Sequence, residues 1–114
     1  MKYGLTDETI ARLQGVFARY PQVEKATLYG SRAKGNFKTG SDIDLTLHGP
    51  SLDHDLHCQI ATEIDDLMLP YTIDLSIFDQ LTHPELIEHI QRVGKLFYER
   101  TRSPLPEGVQ RTSA

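Results

Sequence analysis

Apolar residues in this chain recur with two different periods, and the places where the period changes mark out its elements. From Thr6 to Tyr20, the residues Ile10, Leu13, Phe17 and Tyr20 fall at helical spacing. Asp7 and Glu8 occupy the first turn, where negative charge suits the helix dipole. Pro21 ends that helix. Val23 to Tyr29 reads as a strand running into Gly30, and Ser31 to Gly40 as a turn with a short helical piece opening at Ser31. Ser41 to His48 alternates: Ile43, Leu45 and Leu47 take one face, Asp42, Asp44 and Thr46 the other. That is the pattern of a half-buried strand. Gly49 and Pro50 close it.

Leu52 to Met68 returns to the helical period, with Leu56, Ile60, Ile64 and Leu67 on the inner stripe and Pro70 beyond the end. Tyr71 to Phe78 is a further strand, Ile73, Leu75 and Ile77 facing one way and Asp74 and Ser76 the other. Thr82 and Glu85 have capping-box spacing and open a last helix with Leu86, Ile87, Ile90 and Val93 as its buried face. Gly94 ends it ahead of a short apolar patch, Leu96 to Tyr98. The order α, β, short α, β, α, β, α predicts an α/β (α+β) fold, a small mixed three-stranded sheet flanked by about four helices. The domain is expected to span 1–99. Residues 100–114, with two prolines and no periodicity, are expected to form a disordered tail.

The 114 residues suffice for one core without staples. No apolar run approaches the ~20 residues that span a bilayer, and the N-terminus has no signal-peptide stretch. A lone cysteine, Cys58, permits no intramolecular disulfide and agrees with a reducing cytoplasm. Its mid-helix position suggests a small buried hydrophobe, not a nucleophile. Charge narrows the picture more. Lys and Arg total 12 against 16 Asp and Glu, for a net −4. Proteins that grip long nucleic acid usually carry a basic face, so that class is disfavoured. Arg32, Lys34 and Lys38 make a cluster large enough for one triphosphate.

Three features carry candidate chemistry. Gly30-Ser31 stands where a strand meets a helical turn, a place where backbone can approach an anionic phosphate closely. Alone, such a pair is usually a plain turn. Asp42 and Asp44 are two residues apart on a strand, so their side chains point the same way from Cα atoms roughly 6.5 Å apart. Two carboxylates so placed repel one another unless a cation lies between them. Mg2+ prefers such oxygen ligands and fills its shell with water and phosphate oxygens. Asp74 sits between Ile73 and Leu75 on another strand. If that strand lies beside the first, three carboxylates share one face and build a two-metal site suited to in-line displacement at phosphorus. Gly-Ser, ten residues, then Asp-x-Asp has on the order of a one in a thousand chance in a random chain of this length. The pairs His54 and His57, near Asp53, have a spacing that can bind zinc but more often form a polar helix face.

The segment LYGSRAKGNFKTGSDIDL, Leu28 to Leu45, resembles the signature of the polymerase-β-like nucleotidyltransferase superfamily, and within it the minimal (MNT) branch. The likeness runs from about Thr6 to Tyr98, with TIDLSIF supplying the third carboxylate strand. The resemblance implies a nucleotidyltransferase fold and a metal-dependent transfer of a nucleoside monophosphate, AMP from ATP, to a hydroxyl. It implies that Asp42, Asp44 and Asp74 hold two Mg2+ ions, with Mn2+ as a substitute, and that Asp74 assists deprotonation of the acceptor. Gly30 and Ser31 would hold the triphosphate with Arg32 near it, and Lys34 and Lys38 are weaker phosphate neighbours. MNT proteins pair with HEPN-family toxins and adenylylate a tyrosine on them, so the resemblance also implies an antitoxin and a HEPN partner. A non-catalytic antitoxin that acts by contact and a small-molecule nucleotidyltransferase are the alternatives. The core consumes nearly every residue before 100, so the acceptor is expected to be shaped by a partner or to be very simple.

Overall fold

The computed structural model describes residues 2–38 and 40–100. Its elements are α1 (Asp7–Ala18), β1 (Lys25–Tyr29), α2 (Gly30–Lys34), β2 (Ile43–His48), α3 (His54–Asp66), β3 (Ile73–Ile77), a 3-10 turn (Phe78–Gln80), α4 (Pro84–Val93) and β4 (Lys95–Glu99). The strands form one mixed sheet in the order β3-β2-β1-β4. β1 pairs antiparallel with β2 and with β4, and β2 pairs parallel with β3.

Among the described residues four strands are therefore present where the sequence pattern predicts three. The patch Leu96 to Tyr98 lies inside β4, which follows directly on Gly94, the residue that ends α4 in an extended conformation. Leu96, Phe97 and Tyr98 are consecutive apolar residues without the alternation that marks a half-buried strand. Long-range pairing with β1 makes it one.

The register sorts the sheet into two faces. Ala26 lies opposite Leu47, Leu28 opposite Leu45, and Leu45 and Leu47 opposite Leu75 and Ile77. This apolar face packs against α1 through Leu13, Val16 and Phe17 and against α3 through Ile60 and Ile64, all inside the main core. Phe97 of β4 meets Phe17 edge-on, ring centroids 6.4 Å apart. The Thr6 side chain caps α1 by accepting from the Thr9 N–H at 3.1 Å, and Asp53 caps α3 by accepting from the Leu56 N–H at 2.9 Å. Arg100, the first residue of the expected tail, donates to the carbonyls of Val23, Ala18 and Tyr20. The rest of that tail, 101–114, lies outside the described residues.

Three local expectations need correction. The last helix is not opened by a Thr82–Glu85 capping box: His83 is its N-cap, with no side-chain cap bond, and Pro84 stands in its first turn. A proline there is preset for the helix and lacks the N–H that would need a partner, so the helix starts one residue later. Of Leu86, Ile87, Ile90 and Val93, only Ile90 is buried, and the other three are half-buried. Cys58 is exposed, its Sγ 3.5 Å from His54 Nε2. It lies two residues past Leu56, about half a helical turn away from the inner stripe.

Candidate active site

The second face of the sheet carries polar residues in rows, because every second residue of β1, β2 and β3 points that way. The last row of β1 contains Tyr29, paired with Asp44 of β2, which is paired in turn with Asp74 of β3. The next row is Thr27, Thr46 and Ser76, and beyond it Lys25 lies opposite His48. Thr46, expected on an open polar face, is fully buried, and its Oγ1 has no hydrogen-bond partner. β2 is a central strand, and the 3-10 turn after β3 packs on it from this side.

Asp44 and Asp74 thus meet across adjacent strands. Asp42, two residues before Asp44, precedes the first residue of β2 and is exposed. Burial raises the Asp44 carboxyl above its ordinary range, and the negative charges of Asp74 and then Asp42 push it further. Burial also raises the Tyr29 phenol, with Asp74 and Asp44 adding to the shift. Ser76 lies near enough to oppose it, although its buried Oγ lacks a hydrogen bond of good geometry. Among the described residues, the ion pairs are Arg19 with Glu63 and Arg92 with Glu88, and neither touches the aspartates.

Gly30 explains why glycine is needed at this junction. Its φ is +76°, and a Cβ placed there would collide with the Asp44 carboxylate. The Gly-Ser turn and the acidic row are therefore in direct contact. Gly30 and Ser31 begin α2, and Lys34 ends it, exposed. Lys38 is exposed as well. Arg32, expected near the triphosphate, is turned inward. It is only 3% exposed, and its guanidinium donates to the carbonyls of Ser41 and Tyr3.

Two residues were not anticipated from sequence. His89 of α4 lies over the junction, its Nε2 accepting from the Gly30 N–H at 3.3 Å, with its ring edge-on to Tyr29. Tyr29 was legible: Lys25, Thr27 and Tyr29 alternate with Ala26 and Leu28, so Tyr29 shares the face of the acids. Nothing in α4 singled out His89, which flanks the apolar stripe. A cavity of about 390 Å³ on the same sheet face is lined by Lys25, Thr27, His48, Phe78, Ile90 and Leu96 among others. It lies toward the other end of the strands, and its lining includes none of the three aspartates.

The donor set fits a hard divalent cation. Three carboxylates stand near one another and, among the described residues, no basic side chain is paired to them; burial first, and then the charges of Asp74 and Asp42, raise Asp44. Among the described residues, no three acidic, histidine or cysteine side chains close into a finished ion cage. An ion here would draw the rest of its shell from phosphate oxygens and water, as Mg2+ commonly does.

No curated protein shows significant sequence similarity to this chain. Among solved structures, it is similar to a toxin–antitoxin complex crystallised with AMP-PNP, with 21% identity and a TM-score of 0.64 over 84% of this chain and 75% of that one. A second likeness is to the complex of a tri-AMPylated Shewanella oneidensis HEPN toxin with an MNT antitoxin. There the identity is 15% and the TM-score 0.63, over 84% of this chain and 74% of the other. A MntA–HepT toxin–antitoxin complex aligns at 15% identity and a TM-score of 0.63, over 83% and 74%. At such identities these likenesses establish a common fold. The family model described as polymerase beta, nucleotidyltransferase matches residues 11–103, a span holding the Gly-Ser turn and all three aspartates. With that match over most of its length, the chain belongs to the polymerase-β nucleotidyltransferase family.

Proposed function

We propose that this protein transfers AMP from ATP to a tyrosine hydroxyl of a HEPN-family toxin and acts as its antitoxin. The observation that carries the reading is the cross-strand pair Asp44–Asp74, with Asp44 packed against Gly30 and Asp42 two residues before it, in a chain of the nucleotidyltransferase family. The fold neighbour complexed with a tri-AMPylated HEPN toxin supports the choice of acceptor.

In this reading Asp42, Asp44 and Asp74 hold two divalent ions, Mg2+ or Mn2+, and Gly30 and Ser31 seat the triphosphate. When bound, the ions neutralise charge on the phosphates and lower the pKa of the acceptor hydroxyl. The acceptor oxygen forms a bond to the α-phosphorus as the bond from that phosphorus to the bridging oxygen breaks and pyrophosphate leaves. Asp74, at the exposed end of the row, takes the hydroxyl proton. The rest of the protein's contribution is position: an open acidic face lets a partner's side chain approach in line. No helix among the described residues is long and apolar enough to cross a membrane, and the reading places the reaction in the cytoplasm, where ATP is at hand.

Incubation with a cognate HEPN protein and ATP labelled at the α-phosphate tests the proposal. Label should move to the toxin and its ribonuclease activity should fall. A stable complex in which no label moves would sink it in favour of inhibition by contact.

A further inference from the structure

We propose that Arg32 is a positioning residue: it holds the Ser41–Asp42 peptide and the entry to β3 in place, so that the three carboxylates can share an ion. The proposal rests on the nucleotidyl-transfer reading above. The Arg32 side chain is nearly inaccessible, at 3% exposure. Its Nε and Nη2 both donate to the Ser41 carbonyl, at 3.1 and 2.8 Å, and its Nη1 donates to the Tyr3 carbonyl at 2.8 Å. Aromatic rings flank the guanidinium, with the Phe37 centroid 5.2 Å and the Tyr71 centroid 5.1 Å from Cζ. Gly4 leaves room for this arrangement: a Cβ there would press on the Phe37 ring and on Nη1.

One side chain therefore joins four segments: the N-terminal turn, α2, the approach to β2 and the approach to β3. Two of these lead straight to carboxylates. The Ser41 carbonyl belongs to the peptide that precedes Asp42, which like Asp74 is exposed. Tyr71 precedes Thr72, whose carbonyl accepts from the Ile43 N–H at 2.9 Å and starts the parallel register that sets Asp44 opposite Asp74. A buried charge is costly unless its donors are satisfied, and backbone carbonyls with two π faces satisfy this one. Lysine lacks the planar fork and could not reproduce the contacts. With the Nε/Nη2 edge closed over Ser41 and so little of the group accessible, no bidentate edge is offered to a phosphate.

The test uses the full chain and three measurements on Arg32→Lys: amide hydrogen exchange, Mn2+ affinity, and nucleotide affinity without metal. Exchange should quicken at 41–44 and 71–74 while α3 keeps its wild-type rates. Mn2+ affinity should fall about tenfold, the scale on which supporting residues around metal ligands act, and metal-free nucleotide binding should not change. Ile60→Val, a remote destabilising control, should leave Mn2+ affinity intact. Unchanged exchange at 41–44 overturns the proposal, as does a loss confined to metal-free nucleotide binding, which would make Arg32 a phosphate ligand. Should Arg32→Lys fail to fold, Tyr71→Leu removes one of the two ring contacts and keeps the hydrogen bonds. It should quicken exchange in the same two segments, and wild-type rates there refute the clamp. If the wild-type chain takes up no Mn2+ and Asp44→Asn makes no difference, the transfer reading falls, while the exchange result still judges Arg32.

Discussion

Asp44 and Asp74 face one another as register partners on adjacent parallel strands, although thirty residues and a helix separate them in sequence. Burial raises the Asp44 carboxyl, and the negative charge of Asp74 adds to the shift. A cation bound between the two would favour their charged forms.

Asp44→Asn should abolish transfer, with a loss on the order of a hundredfold or more, comparable to removing a major electrostatic group from an active site. It should not lower the melting temperature. The sign follows from linkage: a carboxyl raised on folding binds its proton more tightly in the native state. Stability therefore falls as pH rises through the window between the ordinary and the raised value, and the penalty persists above it. Asparagine removes that penalty. Thermal melts of both proteins at pH 4 and pH 7, without metal, check it. The wild type should lose stability relative to the mutant on going to pH 7.

Gly30→Ala should damage both stability and activity. The residue has positive φ, where a Cβ costs roughly 1–2 kcal/mol, and the added methyl would also displace the Asp44 carboxylate. Urea unfolding should show a loss of at least that order, alongside a greater loss of transfer than strain alone explains.

His89 accepts from the Gly30 N–H through Nε2, so its ring must carry its proton on Nδ1 when neutral. Long-range nitrogen–proton NMR spectra should show that tautomer. His89→Ala should cost about 0.5–1.5 kcal/mol, as for a single hydrogen bond, and shift the Gly30 amide resonance more than those of α3. A ring with Nε2 protonated would contradict the geometry.

Phe17 is fully buried and touches the rings of both Phe97 and Tyr98. Phe17→Ala should lose about 3–5 kcal/mol of stability, measured by denaturant titration. Because Phe97 and Tyr98 belong to β4, hydrogen exchange there should quicken ahead of β2. Equal loosening of β2 and β4 would argue against β4 as the weaker edge.

Period along the chain determined much of this protein. Alternation set Ile43, Leu45 and Leu47 inward and aimed Asp42 and Asp44 together away from them, because a strand's two faces are dictated by its covalent pleat. Helical spacing likewise marked Leu13, Phe17, Ile60 and Ile64 as core, and the Gly-Ser and Asp-x-Asp spacing pointed to the family. Contacts between distant segments were decided only by tertiary structure. That β3 lies beside β2 in the register bringing Asp74 to Asp44, that Lys95–Glu99 completes the sheet, and that His89 reaches Gly30 all depend on pairing and packing between elements. Arg32 shows the division most clearly. Its sequence neighbours mark it as a cation beside a phosphate turn, but its burial depends on where the carbonyls of Tyr3 and Ser41 come to rest. A local pattern encodes which way a side chain leaves its own backbone; what it meets there is set by the remainder of the chain.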